Sequence, residues 1–183
     1  MEKIKFDSPE KSNPALEFVE RHRDFFEHYA KGGVEIEASP EDLNTFAFDL
    51  VENKIYINPM FYDQHGLSDE KTVFATLHEL EHFFEKKQIL SEEGGARLFT
   101  RYLQKIKKSR AFGLMDNCVA DIRENRTVIA RTNKAMADLE KQTYKDNLFP
   151  ETDFTKSPKH IQFCQAILRE ARVPDEVCRV APE

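Results

Sequence analysis

Apolar residues recur along this chain at two different periods. Leu16, Val19, Phe25, Phe26 and Tyr29 supply the apolar surface of a helix running from Pro14 to about Ala30. Asn13 serves as its N-cap and Pro14 suits the first helical position, while Gly32-Gly33 stops it. Val34 to Glu37 then alternates apolar and acidic residues, the pattern of a short half-exposed strand. Thr45 to Val51 and Lys54 to Ile57 read as two strands of a hairpin, with Glu52-Asn53 as a tight turn. Asn58-Pro59 closes the second strand, because proline cannot continue a ladder. A polar connection from Tyr62 to Ser68 leads to a helix capped by Ser68 or Asp69, with Asp69 and Glu70 at its positive end. At 100° per residue its Val73, Leu77, Leu80 and Phe84 share one side.

The pattern stays helical beyond that point. Ser91 is positioned to cap a helix reaching about Lys108, with Leu98, Tyr102, Leu103 and Ile106 in helical register. Phe112-Gly113 interrupts it, and a further helix with an interruption spans about Leu114 to Glu140. Past Pro150 and Pro158, a last helix covers about Lys159 to Arg172 with Ile161, Phe163, Ile167 and Leu168. The expected fold class is α+β: a mainly helical domain with a small β-sheet or hairpin ahead of its central helix.

Composition narrows this picture. A chain of 183 residues is expected to form one domain, 1–183, with a core over about 34–140 and a helical extension over about 141–183. The net charge is −6, and Lys105 to Arg110 is a short basic cluster that reads as a solvated helix end, so nucleic acid is not an expected partner. No apolar run approaches the roughly 18 residues of a membrane span. The N-terminus lacks a signal-peptide apolar segment, and Cys118, Cys164 and Cys178 are odd in number and widely spaced. The expectation is a cytoplasmic protein with reduced thiols.

The chemistry lies in Leu77-His78-Glu79-Leu80-Glu81-His82, which contains His-Glu-x-x-His. On a helix, positions i and i+4 share a face with Cβ atoms roughly 5–6 Å apart. That spacing lets His78 and His82 reach one zinc ion, and it leaves Glu79 free to act as general base on a metal-bound water. A catalytic zinc site needs a third protein ligand. Projected on a helix, Asn117, Asp121, Asn125 and Glu124 fall on one side, while Met115, Val119, Ile122 and Ile129 fall on the other. Asp121 is the first choice, with Asn117 and Asn125 one turn away as partners that orient it or a ligand histidine. Glu124 is the second choice, and Glu92-Glu93 is the main competitor from the next helix. Cys118 reads as a small buried thiol. His65 and Arg123 are candidates for stabilising an oxyanion; His22, His28 and His160 read as structural or surface residues.

Three segments in order carry a resemblance: Ile55-Tyr56-Ile57-Asn58-Pro59-Met60-Phe61, the His78-to-His82 motif, and Asn117-x-x-x-Asp121-x-x-x-Asn125. Together they resemble zincin-like metallopeptidases found with von Willebrand-type A domains. Asp121-Ile122-Arg123-Glu124 is also similar to the metallopeptidase-like part of cobaltochelatase subunits. The resemblance covers roughly residues 45–130 and implies zinc-dependent hydrolysis of a peptide or protein substrate. It also implies that Lys54 to Ile57, or its partner Thr45 to Val51, binds the substrate in extended form. Glu81 departs from the pattern, since relatives often carry a small residue before the second histidine. With the chelatase likeness, that departure motivates an alternative: a catalytically weak, metal-stabilised binding or regulatory module of a larger complex.

Overall fold

The computed structural model describes residues 14–39, 46–58, 64, 66–149 and 152–182. Asn13, Thr45, Pro59, Met60, Phe61, His65 and Pro150 lie outside the described residues. The elements run α1 (Pro14–Ala30), β1 (Glu35–Ala38), β2 (Ala47–Asp49), β3 (Lys54–Ile57), α2 (Asp69–Ser91), α3 (Gly95–Lys108), α4 (Arg110–Arg131), α5 (Lys134–Thr143), a π-helical turn (Tyr144–Leu148) and α6 (Lys159–Arg172). The fold is α+β and mainly helical, with one small sheet. No described helix is long and apolar enough to cross a membrane.

The sheet order is β1-β3-β2, with β3 parallel to β1 and antiparallel to β2. Ile55 pairs with Ile36 on one side and Phe48 on the other, which places three large apolar residues in one row. The expected hairpin is present, but its turn spans Leu50 to Asn53 rather than Glu52-Asn53 alone. The reason is Asp49: its carboxylate accepts from the amides of Val51 and Glu52 at 2.9 and 2.8 Å and ends β2 early. Because β3 is central, both of its edges are taken. Lys54 to Ile57 therefore cannot accept a substrate strand, and among the described residues the edge strands are β1 and β2.

The core gathers Phe18, Val19 and Phe26 from α1, Ile55 and Ile57 from β3, Leu77, Leu80 and Phe83 from α2, and Val128 from α4. It therefore draws on α1 as well as on the stretch from residue 34 onward. α2 is the central strut. Ser68 caps it by accepting from the Lys71 amide at 3.3 Å. Thr72, Val73, Phe74, Thr76, Leu77, Leu80, His82 and Phe83 are all buried, so the helix is covered on more than the expected apolar side.

Two expected boundaries move. Ser91 is the last residue of α2, not the cap of α3; its hydroxyl donates to the Gln88 carbonyl at 2.7 Å. Gly94 and Gly95 make the turn instead. A Cβ placed on Gly95 would sit 1.8 Å from the Ile89 carbonyl oxygen, so only glycine allows α3 to leave α2 so tightly. Gly95→Ala is expected to destabilise the fold by about 1–3 kcal/mol, read as a lower urea midpoint; an unchanged midpoint would show that the junction has slack. The second boundary lies between α3 and α4. Phe112-Gly113 does not break the chain; Ser109 does, capping α4 through the Phe112 amide at 3.2 Å. Gly113 sits inside α4 because Ile106 packs against it, 3.1 Å from where a Cβ would be.

A candidate metal centre

α2 and α4 bring the sequence candidates together. His78 Nε2 and His82 Nε2 lie 3.0 Å apart, Asp121 Oδ1 is 3.1 Å from His82 Nε2, and it is 3.5 Å from His78 Nε2. Two imidazole nitrogens and one carboxylate oxygen thus form a triangle. Around a tetrahedral ion with bonds of about 2.0–2.2 Å, ligand atoms stand about 3.3–3.6 Å from one another. The observed triangle is close to one face of such a tetrahedron. A 3.0 Å contact between two ring nitrogens needs a proton or a metal ion between them: either one ring donates its N–H to the other, or both face one ion. The donor set therefore fits zinc.

The side chains of His78, His82 and Asp121 remain 15, 10 and 20 % exposed, so the triangle is mostly but not wholly covered. Asp121 is held well below the usual carboxylate range, at about 2; burial opposes this, but the two histidines bond it and outweigh burial. His78 moves the other way. Burial pulls it down, and the bond to Asp121 with the nearby Glu79 charge raises it overall. Glu79 is not part of the triangle. It lies within electrostatic reach of His78, His82 and Asp121, and burial pushes its carboxyl up against the pull of the histidines. A carboxyl displaced toward neutrality suits proton transfer.

The polar neighbours sort themselves. Asn117 donates to both Asp121 oxygens at 3.2 Å. Asn125 is fully buried and donates to the Tyr144 hydroxyl at 2.8 Å. Its Oδ1 and the Nδ1 of His78 are both buried with no partner of good hydrogen-bond geometry, although Asn125 is close enough to favour the protonated ring. If Nε2 of His78 faces a metal, its proton resides on Nδ1, and Asn125 Oδ1 is the matching acceptor. Glu124 is not in the triangle. It groups with His82 and Glu85, one donor atom from each lying within 4.8 Å of the others. Burial raises the Glu124 carboxyl, and the Arg123 Nε at 3.1 Å opposes this.

Other candidates fall away from the site. Glu92 and Glu93 are exposed at the far end of α2; at 1.5 Å per residue, Glu92 lies about 15 Å along the axis from His82. Cys118 is buried, donating to the Cys164 carbonyl at 3.4 Å. Arg123 is paired with Glu85 and Glu124. His22 bonds Asp69 at 2.7 Å. Glu81 adds no loose charge to the centre. It is 5 % exposed and points to α1, where the Tyr29 hydroxyl donates to it at 2.6 Å and Arg131 pairs with it.

The buried face of α4 corrects one expectation. Val119 is 51 % exposed, whereas Glu124 and Asn125 are buried along with Cys118, Ala120 and Val128. Asp121, Glu124 and Asn125 of the polar stripe face the histidines of α2, while Asn117 at its start is exposed. Four residues near the centre were missed by sequence reasoning. Glu85 is the turn after His82 on the same face and was findable from spacing; Glu140, Tyr144 and Arg172 come from remote segments with no local signal. No family model, curated protein or solved structure matches this chain.

Proposed function

We propose that the chain is a zinc-dependent metallopeptidase of zincin type, hydrolysing peptide bonds in a cytoplasmic setting. The triangle of His78, His82 and Asp121 beside a carboxyl raised by burial carries this reading. Zinc held by those three residues supplies Lewis acidity to a substrate carbonyl and to a water. Glu79 takes the proton of the attacking water and returns it to the leaving amine. Asn117 holds the Asp121 carboxylate, and Asn125 Oδ1 is the acceptor that a proton on His78 Nδ1 would use.

A peptide in extended form fits the edge of β2, Ala47 to Asp49. That strand is tied to α2 by Phe48 against Phe83, with ring centroids 6.0 Å apart, and by Lys87 donating to the Leu50 carbonyl at 2.8 Å. The three cysteines are free thiols, which supports a reducing compartment. With Glu81 engaged by Tyr29 and Arg131, the charge that argued for a non-catalytic binding module stands away from the centre.

Elemental mass spectrometry on protein purified without added metal tests the reading. Near-stoichiometric zinc is expected in wild type and in the Glu92→Ala/Glu93→Ala pair, none in Asp121→Ala, and about 10–100-fold weaker binding in Glu124→Ala. Wild-type protein that stays metal-free after incubation with zinc would sink it.

A further inference from the structure

α6 lies outside the stretch that carries the motifs, yet it reaches the metal centre from behind. Arg172, in its last turn, is 7 % exposed. One of its Nη2 contacts is the Asp121 carbonyl oxygen at 3.0 Å, and the adjacent Ile122 carbonyl is the other. Its Nη1 is 2.7 Å from Glu140 of α5, which is itself 5 % exposed. Both carbonyls lie in the middle of α4, where each already serves a helical hydrogen bond, so the guanidinium uses their spare lone pairs. Arg172 Nε is left buried and without a partner. A buried ion pair is weak evidence for stability. An arginine that accepts an unsatisfied donor to grip two main-chain carbonyls at a ligand position is doing something local to that position.

We propose that Arg172, held by Glu140, is a positioning residue for the metal centre: it fixes the turn of α4 that carries Asp121 and so couples metal binding to docking of α6. The proposal rests on the zinc reading above. By linkage the coupling is reciprocal. Whatever factor α6 docking adds to zinc affinity, zinc adds to the stability of the docked helix.

The experiment measures zinc affinity by chelator competition, and the visible spectrum of the cobalt form, for wild type and for Arg172→Met/Glu140→Met. The double substitution removes both charges at once, which avoids stranding one of them. The expected result is a melting temperature of the metal-free protein close to wild type, zinc binding about 10–100-fold weaker, and an altered cobalt spectrum. A double variant that binds zinc as wild type does overturns the proposal while leaving the metallopeptidase reading intact. Wild type that binds no zinc overturns both.

Hydrogen exchange on the unmodified chain decides the matter if the double variant does not fold. Zinc is expected to slow exchange of the α6 amides by about the same 10–100-fold; α6 exchange indifferent to zinc overturns the coupling.

Discussion

Glu79→Gln is expected to lower peptide hydrolysis by about 10²–10⁴-fold while leaving zinc content unchanged. Glutamine matches the shape of glutamate and cannot accept the proton of an attacking water. Glu79 is outside the His78, His82 and Asp121 triangle, so its replacement removes no ligand atom. The fold should tolerate the change as well. A carboxyl raised by burial binds its proton more tightly in the folded than in the unfolded chain. Its ionised form therefore costs stability as pH rises through the folded pKa, and the neutral amide removes that cost. Metal-free Glu79→Gln should melt at or slightly above the wild-type temperature near neutral pH. Single-turnover cleavage of a fluorogenic peptide library, with metal content measured on the same samples, provides the check. Activity equal to wild type would remove Glu79 from the chemistry; loss of zinc would make it a ligand.

Both ends of α1 and α6 and the start of α2 were legible in the sequence because local chemistry sets them. Pro14, the Ser68 cap and the span from Lys159 to Arg172 all stand where the pattern put them. The start of α3 and the end of the first hairpin strand were not, because two signals competed at each. Ser91 looks like a cap, but Gly95 permits the close approach to Ile89 and Gly94 takes the left-handed turn before it. Asn53 looks like half of a two-residue turn, and the Asp49 carboxylate captures the preceding amides first.

The triangle of His78, His82 and Asp121 follows from i, i+4 spacing on α2 and from one stripe on α4, both of which are local periodicities. What surrounds it is not local. That β3 is central depends on β1 returning beside it in parallel, and strand order leaves no trace in the strands themselves. The projection of α4 separated its two faces correctly but assigned burial to the apolar one. A helix covering a polar site buries its polar face, and that is known only once its neighbour is known. Arg172 marks the limit of this kind of reading. Its partners are main-chain carbonyls about fifty residues away, and a carbonyl has no sequence signature.

Arg131→Met is expected to destabilise the fold by about 2–4 kcal/mol, the largest single effect outside the metal centre. Arg131 does three things at one junction of α1, α2 and α4. It pairs with the buried Glu81, donates to the Tyr29 carbonyl at 2.6 Å, and covers the Tyr29 ring with its guanidinium 4.1 Å from the centroid. Methionine keeps much of the stem packing and none of the charge. Glu81, 5 % exposed, is then left with the Tyr29 hydroxyl as its remaining bonded partner. Breaking a buried pair by removing one member is costly because it strands the other. The Arg131 side chain is 31 % exposed, so water relieves part of that cost, which sets the value toward the lower end. Adding Glu81→Gln should recover part of the loss, since the stranded charge is then gone, and a double-mutant cycle by urea denaturation measures how much. Zinc content should not change in either variant, because Glu81 faces α1 while its neighbour His82 faces α4. A loss below about 0.5 kcal/mol would show that the junction is held by apolar packing alone, and zinc lost along with stability would tie the orientation of α2 to this clasp.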